Sequence, residues 1–209
     1  MENSKKNIAI ILLGRPGSGK DTQAELLAKK FGLVHIVSSL VIRKALSSHK
    51  KTLWLHGKIW NVEKQKQLQK SGALVDFHFV DALIRNEIKK VNARNKGLIM
   101  SASPRSKIEL KEEWPMLKKL YGEKNIFVFH VRISPQEVYI RNLKRHRKDL
   151  PELDTKKIIK KRLEVFNLYT LPVIKLLKKQ KKIIAINGEQ KVMKIHLDII
   201  ESLKNKKLI

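Results

Sequence analysis

The chain reads Ile8-Ala-Ile-Ile-Leu-Leu13 and then Gly14-Arg-Pro-Gly-Ser-Gly-Lys-Asp-Thr22. A short run that is apolar at every position is the pattern of a strand buried on both faces. It breaks at clustered glycines, and from Lys20 onward Ala24, Leu27, Ala28 and Phe31 recur at helical spacing until Gly32 ends them. Strand, glycine loop and helix in that order open a βαβ unit. Without side chains in the way, successive N–H groups of such a loop can point inward at phosphate oxygens, and the following helix adds the positive end of its dipole. Lys20 has the reach for terminal phosphates and Thr22 carries a hydroxyl for phosphate or metal-bound water. The candidate phosphate-binding residues are therefore Gly14, Pro16, Gly17, Ser18, Gly19, Lys20, Asp21 and Thr22. The generic signature has Ser or Thr directly after the lysine, and Asp21 stands there instead.

Further apolar runs at 98–100, 126–133 and 183–186 alternate with helical patterns near 76–91, 106–120, 135–147, 155–180 and 189–204. That alternation predicts a doubly wound α/β fold, a parallel sheet of about five strands flanked by helices. Residues 44–71 read as short-range helical and basic, an insertion over the core in which Trp54 and Trp60 pack the insertion against itself. At 209 residues a single domain is the simplest reading. There is no cysteine, which excludes disulfides and thiolate zinc sites. No apolar stretch is long enough to span a bilayer, so the expectation is a cytoplasmic monomer. Scattered histidines, His35 among them, form no evident metal pair and read as structural or exposed. Lys+Arg 46 against Asp+Glu 19 gives +27. Such a field attracts polyanions, but lysine-rich solvated helix faces account for it more simply.

Several stretches, in order, resemble the motifs of adenylate kinases, the nucleoside monophosphate kinases of the phosphate-loop NTPase type. Pro16-Gly-Ser-Gly-Lys-Asp-Thr-Gln23 resembles that family's form of the loop, in which the threonine comes second after the lysine. His35–Arg43 is similar to the segment that ends in an acceptor-phosphate arginine, here Arg43. Gly72-Ala-Leu-Val75 is similar to the stretch that contacts the acceptor base, giving Gly72, Leu74 and Val75. Gly97–Arg105 resembles the strand that ends in a second such arginine, Arg105. Arg141-Asn-Leu-Lys-Arg145 and Arg162 match the arginines that close over the transferring phosphate. The resemblance implies Lys20, Arg105, Arg141, Arg145 and Arg162 as catalytic residues, with ATP and Mg²⁺ held mainly through phosphates and water and no protein metal ligand. It also implies one kinase domain over 1–209, an acceptor-binding insertion at about 38–71 and a short lid at about 145–154, with AMP as acceptor.

Departures cluster where they matter. Ser101 replaces an aspartate that in the family orients magnesium-bound water, and Ala102-Ser103 replaces Gly-Phe. Glu109 takes the place of a glutamine that recognises adenine, and an arginine expected within Pro151–Asp154 is missing, with Arg147 or Asp149 as substitutes. Asp21 is an acid gained near the one lost. A second reading is a catalytically degenerate nucleotide-binding protein that meets RNA or the ribosome through its basic surface.

Overall fold

A computed structural model describes residues 7–70, 74–145 and 154–205. Strand β1 (Ala9–Gly14) lies at the centre of a five-stranded sheet in the order β2-β5-β1-β6-β7, with β2 Val34–Val37, β5 Leu98–Ser101, β6 Ile126–Arg132 and β7 Ile183–Asn187. Every neighbouring pair in this sheet is parallel, so the doubly wound parallel sheet expected from the sequence is present.

The continuous apolar run of β1 has a simple cause. Ala9, Ile11 and Leu13 enter one core, where helices α4 (Phe77–Asn92), α5 (Lys107–Tyr121) and α8 (Leu171–Lys179) supply Ile84, Leu117 and Val173. Ile8, Ile10 and Leu12 enter a second core on the opposite face, against Leu27 of α1 (Lys20–Phe31) and Ile199 of α9 (Val192–Lys204). Each strand residue therefore meets a helix whichever way it points, and no polar alternation survives.

Between β2 and α4 the chain differs from the helical insertion that the sequence suggested. Helix α2 (Ser38–Ser47) is followed by an antiparallel hairpin of β3 (Thr52–Leu55) and β4 (Lys58–Asn61), and then by α3 (Val62–Lys70). His56 and Gly57 both adopt positive φ, 51° and 76°, the geometry of a two-residue hairpin turn. Trp60 packs on Phe79, with ring centroids 5.7 Å apart, within a small core of its own. Trp54 does not pack as expected: on the opposite face of the two-stranded ribbon, it is 69% exposed.

Helix α6 (Pro135–Lys144) follows β6. The helical pattern at 155–180 is not one uniform helix: α7 (Lys156–Val165) runs through a wide π turn at Phe166–Thr170 into α8. Pro172 sits in the first turn of α8, lacks an N–H, and cannot continue the regular ladder across this point.

Phe129 is fully buried at the centre of β6. Phe129→Ala should cost about 3–5 kcal/mol of stability, read as a shift of the urea unfolding midpoint without a change in slope.

Candidate active site

The carboxyl ends of β1, β5 and β6 converge on the glycine loop. Gly17 and Gly19 have φ of 80° and 84°, a region that favours glycine. Gly14 is fixed for a different reason, since a Cβ there would stand 2.5 Å from the Val131 carbonyl and 2.7 Å from Ser18 Oγ. Helix α1 has no side-chain cap at Gly19, whereas α4, α5, α6 and α7 are capped by Asp76, Ser106, Ser134 and Thr155. The first amides of α1 thus open onto the loop.

Lys20 follows, almost fully buried, with Nζ 3.6 Å from Asp21 Oδ2. Burial lowers its pKa; Asp21 opposes the shift, while the charges of Arg105 and Arg162 add to it. Burial works against the Asp21 carboxylate, yet Lys20, a hydrogen bond from Ser101, and the charges of His35 and Arg105 hold its pKa below the usual range.

Two cavities flank the loop. The first measures about 280 Å³ and brings together Gly14, Pro16, Lys20, Leu74, Arg105, Arg162, Phe166 and Thr170.

 A separate cavity of about 450 Å³ lies away from the loop, among β2, α2, β3 and α4. On the other side of the loop, a cavity of about 320 Å³ is lined by Gly17, Gly19, Lys20, Asp21, Thr22, Arg141 and Arg145. Arg141 is braced by Glu137 at 2.6 Å. Arg162 is positioned by Asn142, whose Oδ1 accepts from it at 3.4 Å while Nδ2 donates to the Pro16 carbonyl at 3.3 Å. Arg15 ties the loop to the end of β6 through the Ile133 carbonyl and lies over the Phe166 ring.

A third cavity, of about 260 Å³, adjoins the first and is lined by Ile42, Leu74, Val75, Phe77, Arg105, Glu109, Tyr169 and Thr170 among others. Glu109 is buried, its Oε2 accepting from the Arg105 amide at 2.7 Å and from Ser103 at 3.3 Å, while Oε1 has no protein partner. The same hydroxyl lies 2.8 Å from Glu113 Oε1 and, having one proton, donates to only one of the two carboxyls at a time. Burial raises the pKa of both carboxyls, and that of Glu113 rises further because Glu109 faces it.

Most of the residues singled out from sequence therefore line one of these three connected spaces. Arg43 does not: its side chain is exposed on α2 and belongs to none of the three linings. Gly72, Arg147, Asp149 and most of the expected lid lie outside the described residues. His35, read from sequence as structural or exposed, is half-buried on β2, with Nε2 2.9 Å from Ser101 Oγ. Asn142 and Phe166 were not singled out, and only their position beside matched arginines and Pro172 offered a signal. Among the described residues no cluster of histidines and carboxylates is arranged to hold a metal ion, and no helix is long and apolar enough to cross a membrane.

The Glu113 carboxyl gives the site a pH signature. Between the ordinary value of 4.5 and its raised folded value, the native state holds more protons than the unfolded chain. Stability should therefore fall as pH rises through that window. Glu113→Gln should flatten the fall and raise the melting temperature at neutral pH, measured by thermal unfolding across pH.

The sequence profile of adenylate kinases matches residues 12–182. Human adenylate kinase isoenzyme 1 is 30% identical over 207 residues, covering 96% of this chain and 99% of that protein. Adenylate kinase 1 of Nostoc sp. is 29% identical over 181 residues, with 87% and 90% covered. An adenylate kinase of Leptospira biflexa is 28% identical over 194 residues, with 93% and 98% covered. With its phosphate loop, parallel sheet and profile match over most of its length, this chain belongs to the adenylate kinase family.

Proposed function

We propose that the chain transfers the terminal phosphoryl group of ATP to AMP. The observation that carries this reading is the junction of two cavities: Leu74, Arg105, Val165 and Thr170 line both the space over the phosphate loop and the adjoining one. A donor on the loop and an acceptor next door would meet at Arg105. Phosphoryl transfer asks little covalent chemistry of a protein; it asks for two nucleotides in line and cations around the migrating charge.

The loop amides and Lys20 bind the donor phosphates, and Arg105 and Arg162 stand where negative charge passes between the two sites. Arg141 and Arg145 flank the loop from α6 and its end. Arginine suits these places because its planar fork grips phosphate in a fixed orientation. Arg43 would act on the acceptor phosphate once α2 approaches. Asp21, Thr22 and Ser101 offer oxygen atoms beside the loop, which fits Mg²⁺ accompanying the nucleotide rather than resident in a protein cage. When bound, Mg²⁺ would neutralise charge between the donor phosphates.

Glu109 is placed to read the acceptor base. A protonated carboxyl both donates and accepts, as the edge of adenine requires, whereas a carboxylate only accepts. Burial raises its pKa, which extends the protonated form to higher pH than in a solvated glutamate. The KM for AMP should therefore rise as pH rises through the Glu109 value, and Glu109→Gln should remove that dependence. At high pH the difference between the two should approach tenfold, about the worth of one hydrogen bond to a buried group.

The direct test is coupled ADP formation from ATP and Mg²⁺ with each nucleoside monophosphate in turn. Turnover should be highest with AMP, and Lys20→Ala should reduce it about 10²-fold or more. No turnover with any monophosphate, despite measurable ATP binding, would contradict the assignment. The basic surface remains a feature for which RNA association, steeply weakened by salt, is the alternative use.

A further inference from the structure

Glu109 and Glu113 stand one turn apart on the same face of α5, and both are buried, Glu113 completely. An ionised carboxylate at the deeper position would need a cation or several donors. The structure supplies neither. Arg85 of α4 is bonded to Asp81 at 2.8 Å and reaches Glu112 at 4.0 Å, and Glu113 has no ion pair among the described residues. Asp81 adds negative charge from α4 and Glu109 adds it from α5, while Arg105 stands beside Glu109. Glu113 is therefore held as the neutral acid, in keeping with the upward direction of its pKa.

A neutral carboxyl has one proton to donate. Oε2 of Glu113 has no protein partner, whereas Oε1 lies 2.8 Å from Ser103 Oγ, so the proton belongs on Oε1 and is donated to Ser103. The Ser103 hydroxyl then gives its own proton to Glu109 Oε2, at 3.3 Å. That oxygen also accepts from the Arg105 amide at 2.7 Å. With both of its lone pairs engaged, Oε2 is not free to carry a proton. A protonated Glu109 must carry it on Oε1, the oxygen that has no protein partner, and Glu109 lines the cavity of about 260 Å³. A glutamine with its carbonyl toward Arg105 would present its donor in the same direction.

We propose that Glu113 is a positioning residue for the acceptor: acting through Ser103, it fixes which oxygen of Glu109 offers a proton to the base. This rests on the reading that an acceptor monophosphate occupies that cavity. A donor fixed at Oε1 suits a base whose ring nitrogen accepts a hydrogen bond, as in adenine. It opposes a base whose corresponding ring nitrogen carries a hydrogen, as in hypoxanthine. Without the relay, Ser103 can accept from Glu109 instead, the proton can move to Oε2, and the preference disappears.

The test is calorimetric titration with AMP and with IMP, neither of which needs turnover, with ATP binding as the check on folding. Glu113→Leu, similar in size but without a donor, should weaken AMP about tenfold and leave IMP and ATP unchanged. Ser103→Ala should do the same, and the two together should lose no more than either alone. Glu113→Gln, whose amide still donates to Ser103, should restore most of the AMP affinity. In a Glu109→Gln background the donor no longer depends on a proton, so adding Glu113→Leu should cost about twofold at most. Unchanged AMP affinity in Glu113→Leu and Ser103→Ala would overturn the proposal. So would equal weakening of AMP and IMP, or a tenfold loss that persists in the Glu109→Gln background. Glu109→Ala separates the two levels: if it binds AMP as tightly as the parent protein, the base-reading role of Glu109 falls and the relay with it. If Glu109→Ala is impaired and Glu113→Leu is not, the relay alone is wrong.

Discussion

Lys20 is buried at the start of α1 with Arg105 and Arg162 close enough to lower its pKa, and this concentration of positive charge is the constraint around which the site is organised. Like charges brought together out of water destabilise the empty protein unless the scaffold holds them there. The scaffold is rigid where it needs to be. Lys20 follows a strand buried along its whole length, Arg105 follows the end of β5, and Arg162 projects from α7 onto Asn142. A polyphosphate relieves the strain, which makes the same arrangement a binding site and a transfer site.

Loop, helices and acceptor cavity are tied to each other by a few polar contacts at their junctions. Asn142 joins α6 to the loop through the Pro16 carbonyl and to α7 through Arg162. Thr170, in the wide turn, donates to the Arg105 carbonyl at 3.0 Å. The π turn thereby fixes the backbone of the arginine that lines both adjoining cavities. It also carries Tyr169, whose ring meets that of Phe77 at a tilt of 53° with centroids 4.7 Å apart, both lining the cavity beside Glu109. Irregular helical geometry here serves the site.

The sheet was largely legible because a strand buried on both faces leaves a continuous apolar run, as at Ile8–Leu13. Strand β2 left a weaker trace. It is four residues long, pairs only with β5, and carries His35 in its middle. The hairpin at 52–61 was misread as helical, although His56-Gly57 marked its turn; each strand is only four residues long, too short for an alternation to stand out. The phosphate loop was legible residue by residue because its function is local. The His35–Ser101 contact was not, since the two are 66 positions apart and only the parallel register of β2 and β5 brings them together. The Glu109–Ser103–Glu113 cluster was equally hidden, because a helical sequence does not reveal that two acids share one buried hydroxyl.

The central claim is that donor and acceptor sites meet at Arg105 and act as one. Calorimetric titration with a dinucleoside polyphosphate, adenosine at both ends, tests it most directly. One ligand should bind per chain, be displaced by either ATP or AMP, and bind about 10²-fold or more tightly than ATP, because the second half binds at high effective concentration. A ligand that binds no more tightly than ATP, and that AMP does not displace, would contradict it.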